Sequence, residues 1–89
     1  MPSAEQTNAF QRLQGFLDEL ASRKIHFRLE RNRSEAIMVR VDVPGERWEI
    51  EFFADGEVEV EIFRSTNSGV VSGDLAQAEL TRLLTDFAD

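Results

Sequence analysis

Apolar and polar residues alternate in four successive stretches through the middle of the chain, and apolar residues recur at helical spacing at both ends. Ile25, Phe27 and Leu29 alternate with His26, Arg28 and Glu30. Ile37, Val39, Val41 and Val43 alternate with Met38, Arg40 and Asp42. Trp48, Ile50 and Phe52 alternate with Glu49, Glu51 and Phe53, and Val58, Val60 and Ile62 with Glu59, Glu61 and Phe63. A period of two over this length predicts half-buried antiparallel strands with one face in a core. Between them lie Asn32-Arg33-Ser34, Pro44-Gly45 and Asp55-Gly56, all turn chemistry. Connections this short cannot carry parallel crossovers, so a meander in the order 1-2-3-4 is expected.

The last hairpin has a register that can be argued. A two-residue loop at Asp55-Gly56 would set Phe52 against Glu59 and Ile50 against Glu61, mixing apolar and charged side chains on one face. A three-residue loop, Ala54-Asp55-Gly56, pairs Phe52 with Val58, Ile50 with Val60 and Trp48 with Ile62 instead. It also puts Gly56 where such a loop needs a left-handed residue.

Ala9, Leu13, Phe16, Leu17 and Leu20, with Phe10 beside them, form a helical stripe. A helix from about Ala4 to Ser22 is predicted, opened by a capping box of Ser3 and Gln6. Gly15 interrupts it at a cost of about 1 kcal/mol relative to alanine; close approach of another element there would explain its presence. A second helix is expected from Asp74, with Gln77 completing a capping pair and Ala76, Leu80, Leu83, Leu84 and Phe87 as its stripe. Val70-Val71 reads either as a strand extension or as a buried loop anchor. The expected architecture is a single α+β domain over residues 1–89, a two-layer α-β-β-β-β-α sandwich. Its four-stranded antiparallel sheet carries both helices on one face.

Composition narrows the chemistry. The 89 residues suffice for one core without staples, and the absence of cysteine excludes thiol catalysis, thiolate metal sites and disulfides. The start of the chain carries no basic-then-apolar leader, and no apolar run approaches the roughly 20 residues needed to span a bilayer. A cytoplasmic protein is therefore expected. A formal charge of −7 disfavours nucleic acid and anionic membranes as partners. The charge is also polarised. Arg23, Lys24, Arg28, Arg31, Arg33 and Arg40 precede Glu46, Glu49, Glu51, Asp55, Glu57, Glu59 and Glu61.

With both helices on one side, the other face of the sheet would expose Met38, Arg40, Glu49, Glu51, Phe53, Glu59, Glu61 and Phe63. The chosen register sets Glu51 against Glu59 and Glu49 against Glu61, and opposed like charges cost some tenths of a kcal/mol per pair. Arg40 should lie beside Glu49 or Glu51 and relieve part of this. One explanation of the face is solubility and protection of an edge strand. The other is a docking surface for a basic partner protein, with Met38, Phe53 and Phe63 as apolar anchors. These eight residues are the candidate protein-binding site.

Enzymatic alternatives find little footing. A carboxylate pair for acid–base work needs a pocket that perturbs one pKa, which a flat face lacks. His26 stands without a nucleophile or acid placed beside it, and carboxylates on adjacent strands do not form a ligand loop for a metal. Gly69 and Gly73 match no phosphate-binding spacing. No cofactor is expected.

The stretch Ala36–Arg64, with Val-Pro-Gly-Glu-Arg-Trp-Glu-Ile-Glu-Phe-Phe and Asp-Gly-Glu-Val-Glu-Val-Glu, resembles a group of small acidic uncharacterised bacterial proteins. Some of these are similar in size and acidity to immunity proteins encoded beside polymorphic toxins. The resemblance covers about a third of the chain and brings no catalytic motif. It is compatible with an immunity or antitoxin role and carries over no functional residue. Together with the charge pattern, the expectation is a non-enzymatic inhibitor that docks a basic partner, such as a toxin, on the glutamate face. The alternative expectation is a structural module that self-associates through the open sheet face or the strand-four edge.

Overall fold

A computed structural model describes residues 8–64 and 68–87. The element order is α1 (Ala9–Ser22), β1 (Phe27–Arg33), β2 (Ala36–Val43), β3 (Glu46–Phe53), β4 (Val58–Arg64), β5 (Ser68–Ser72) and α2 (Gly73–Asp86). The class is α+β, an antiparallel meander between two helices, with α2 packed on the sheet.

The sheet has five strands in the order β1-β2-β3-β4-β5, not four. The additional strand contains Val70-Val71 and pairs antiparallel with β4, setting Val60 opposite Val71 and Glu61 opposite Val70. The edge assigned to strand four from the sequence is therefore occupied. Ser-Gly-Val-Val-Ser carries too little alternation to announce itself, and β4 supplies the template.

The β3–β4 hairpin has the three-residue loop. Phe52 pairs with Val58, Ile50 with Val60 and Trp48 with Ile62. Gly56 sits at φ +96°, and its N–H donates to the Phe53 carbonyl at 2.9 Å. At the β2–β3 turn Pro44 and Gly45 join Val43 to Glu46, with Gly45 at φ +81°. The β1–β2 turn falls one step later than Asn32-Arg33-Ser34 suggested, at Ser34-Glu35, because the pairing shifts register between Glu30 and Arg33.

Helix α1 starts at Ala9 rather than Ala4. Asn8 is extended at the N-cap; its side-chain Oδ1 accepts from the Gln11 N–H at 2.7 Å, and its own backbone N–H donates to Gln11 Oε1 at 3.1 Å. This is a capping box with the same spacing as Ser3 and Gln6, which lie outside the described residues. The helix ends in a Schellman arrangement. The Ile25 N–H reaches the Leu20 carbonyl, and the N–H of Lys24, at φ 59°, reaches that of Ala21. This reversal buries Ile25 before the strand proper begins at Phe27. Helix α2 begins at Gly73, and Ser72 caps it without a side-chain hydrogen bond. The expected Asp74–Gln77 capping pair does not form; Asp74 lies inside the first turn, where its charge suits the helix dipole.

One apolar cluster joins Leu13, Phe16 and Leu20 of α1, Ala76, Leu80 and Leu83 of α2, and Val39, Val41, Trp48, Ile50, Phe52, Val60 and Ile62 of the sheet. Phe16 meets Phe52 with ring centroids 5.5 Å apart. Each fully buried aliphatic side chain contributes about 1.5–3 kcal/mol. Phe10, assigned to this stripe from the sequence, is instead 66% exposed, as is Leu29 at 52% on edge strand β1. At Gly15 a Cβ would meet nothing within 4 Å, so no element approaches it closely.

Candidate functional site

The alternation of β2, β3 and β4 places Met38, Arg40, Glu49, Glu51, Phe53, Glu59, Glu61 and Phe63 in one phase, opposite to the core residues. The register brings Glu49 directly across from Glu61 and Glu51 across from Glu59. On the other side Arg40 faces Glu49 and Met38 faces Glu51. Four carboxylates thus occupy the middle of the face.

The face is not flat. Glu49, Glu51, Glu59 and Glu61, with Met38, Arg33 and Val70, line a recess of about 170 Å³. Twist of the sheet and the added strand β5, which contributes Val70, give it walls. Glu51 is the most enclosed of the four, 9% exposed, with Arg33 at 3.4 Å. Among the described residues Glu49's ion pair is the long contact to Arg47 at 4.0 Å, with Arg40 facing it across the strands. Among the described residues Glu59 and Glu61 form no ion pair. Among the described residues Arg33 lines the recess and Arg47 reaches Glu49 from outside it, and neither pairs with the strand-four carboxylates. Among the described residues no group of three or more acidic or histidine side chains has the geometry to hold a metal ion.

Arg40 lies beside Glu49, as expected, and the attraction between them helps hold its charge, but its hydrogen bond goes the other way. Its Nη1 donates to Glu30 on β1 at 3.0 Å, and its Nε is buried without a hydrogen-bond partner among the described residues. The bond from Arg40 holds the Glu30 carboxyl below the usual carboxylate range. Asn32 and the charge of Arg28 act on the Glu30 carboxyl in the same direction.

The two phenylalanines sit at opposite ends of the face and are half-buried. Arg33 lies over the ring of Phe53 at 5.6 Å, and Arg47 over that of Phe63 at 4.4 Å. Neither is a bare apolar anchor. The face therefore has an acidic centre between two arginine-capped aromatic rings, with Met38 and Val70 as apolar contacts at the recess. His26 is exposed ahead of β1, away from these groups.

A second polar constellation lies on the helix side of the sheet. Glu46 accepts from the Trp48 indole Nε1 at 3.0 Å, from Arg64 Nε at 2.8 Å and from Arg82 Nη2 at 3.1 Å. Arg82 also covers the Trp48 ring at 5.1 Å and bonds Glu79 at 3.4 Å. Burial works against the Glu46 charge, but the bonds from Arg64, Arg82 and Trp48 outweigh it and hold the carboxyl below its ordinary value. Burial opposes the Arg82 charge as well, and its bonds to Glu46 and Glu79 raise it nonetheless. Every group in this network is engaged within the chain, which marks it as a clamp between α2 and the sheet. Sequence reasoning missed it, although the register that pairs Glu46 with Arg64 follows from the three-residue loop.

Compared with protein-family models, curated proteins and solved structures, the chain matches none of them. No helix among the described residues is long and apolar enough to cross a membrane.

Proposed function

We propose that this chain is a non-enzymatic binding protein of the immunity or inhibitor type, whose glutamate face receives a basic surface of a partner protein. The observation that carries it is the two pairs of opposed carboxylates, Glu49 with Glu61 and Glu51 with Glu59, held in register around a small recess. Such opposition costs stability in the free protein and is relieved when a lysine or arginine enters between the acids. At about 170 Å³ the recess falls below the roughly 300 Å³ of ordinary small-molecule sites, and suits a single side chain better than a substrate. The aliphatic stem of that side chain would lie against Met38 and Val70. The cations Arg33 and Arg47 would select a partner whose basic group is central and whose periphery is acidic or neutral.

The shared cluster of both helices supports a two-layer arrangement with α1 and α2 on the side away from the glutamates. The likeness of residues 36–64 to small uncharacterised bacterial proteins, some of them similar in size and acidity to immunity proteins, is compatible with this role, and a net charge of −7 disfavours nucleic acid and anionic membranes. A cytoplasmic site of action suits this role. The test is the affinity for the captured basic partner of a variant with glutamine at positions 49, 51, 59 and 61, against wild type.

A further inference from the structure

The two edges of the sheet are built differently. Edge strand β1 carries Arg28, Glu30, Arg31 and Arg33 and shifts register before its turn, both of which discourage an incoming strand. Edge strand β5 reads Ser-Gly-Val-Val-Ser and carries no charge, proline or register shift in its pairing with β4. Val70 on it is 61% exposed. Leu75, three residues beyond the strand, is 67% exposed. Gln77 and Leu84 line the groove between the helices, so helical periodicity puts Leu75 on the flank of α2 turned away from α1.

We propose that β5 pairs antiparallel with β5 of a second copy of this chain, across a two-fold axis at Val70, to form one continuous sheet. The sequence of the strand is self-complementary about that axis. Position 68 would face 72 of the second copy, Gly69 would face Val71, and Val70 would face Val70. Glycine sets against valine on either side of the axis, and no pair carries charge. Neutrality matters in a chain of net charge −7, whose glutamate face would meet its own copy with like charges. The nearest opposed acids, on the two β4 strands, would be three strand spacings apart, roughly 14 Å. That exceeds the roughly 8 Å screening length at physiological salt. Both glutamate faces would lie on the same side of the joined sheet. A five-residue strand with Leu75 beside it is a small interface, so a weak, micromolar dimer is expected.

The experiment is sedimentation velocity over a micromolar-to-millimolar series, at low and high salt, on wild type, Val70→Lys, Val70→Glu and an equimolar mixture of the two variants. Wild type should move from monomer to dimer with rising concentration, with no loss at high salt, and each single variant should dimerise about tenfold more weakly or worse. The mixture should recover the dimer, because lysine then faces glutamate at the axis. A wild type that stays monomeric throughout would overturn the proposal, as would variants that dimerise like wild type, or folded variants whose mixture gives no recovery. Should either variant lose its circular-dichroism signature, hydrogen exchange on wild type decides. Amides of Ser68–Ser72 gaining protection with concentration support the pairing, and unchanged exchange refutes it.

Discussion

Glu46 and Arg82, 36 residues apart in the chain, meet at 3.1 Å over the indole of Trp48, whose N–H bonds the same carboxylate. This contact ties the start of β3 to the C-terminal half of α2. Replacing Glu46 with alanine would leave the indole N–H and two guanidinium groups without their acceptor. Arg64 and Arg82 are each about a third exposed, so water recovers part of the loss. Urea denaturation should show Glu46→Ala destabilised by about 1–2 kcal/mol. Arg82→Lys should recover only part of what Arg82→Ala loses, since an ammonium keeps the charge but not the planar stack.

The same carboxyl sets an acid limb. Its folded pKa is depressed below the ordinary value of 4.5. Its stabilisation is therefore complete above that value and is lost as the pH falls through the lower, folded one. Denaturation midpoints measured downward from pH 6 should fall below about pH 4.5 in wild type, and Glu46→Gln should show a shallower fall. Equal slopes in the two proteins would place the acid sensitivity elsewhere.

Three backbone exchanges should divide in sign. Gly56 at φ +96° has open space where a side chain would go, so Gly56→Ala isolates backbone strain and should cost about 1–2 kcal/mol. Lys24 holds φ 59° without being glycine, and Lys24→Gly should gain up to about 1 kcal/mol by relieving it. Gly15→Ala, also into open space but in the interior of α1, should gain a similar amount. Thermal or urea midpoints check all three.

The opposed glutamates make a prediction about stability alone. Glu59 and Glu61 each face another glutamate and make no ion pair among the described residues. Changing both to glutamine should leave the protein as stable as wild type or more so, by up to about 1 kcal/mol. A clear loss of stability would mean that these carboxylates hold the fold rather than a partner.

The parts of this architecture that were legible in the sequence are those where burial leaves one solution. Trp48, Ile50, Phe52, Val58, Val60 and Ile62 allow a single register around Ala54-Asp55-Gly56, and that register places the four glutamates. Strand β5 was not legible because Val70 and Val71 give a run too short to show a period, and its conformation is imposed by β4. The start of α1 was displaced because Ser3 and Asn8 each stand three residues before a glutamine, and propensity does not choose between them. Arg40 pairing with Glu30, and Arg82 reaching Glu46, depend on side-chain directions and on where a helix comes to rest. Neither is encoded in local spacing. The covering of Phe53 by Arg33 belongs to the same class, whereas the three-residue loop already sets Arg47 opposite Phe63, and the guanidinium lies over that ring.

The most direct test of the glutamate face is a comparison of affinities for the basic protein that wild type captures from the native host. Three proteins are needed: wild type, the variant with glutamine at 49, 51, 59 and 61, and a control of equal net charge. The control carries Asp18→Asn, Glu19→Gln, Glu35→Gln and Asp74→Asn, all exposed and off the face. The face variant is expected to bind at least about tenfold more weakly, the control like wild type, and wild-type affinity to fall as salt is raised. Retained affinity in the face variant, or equal losses in both variants, would contradict docking at the opposed glutamates.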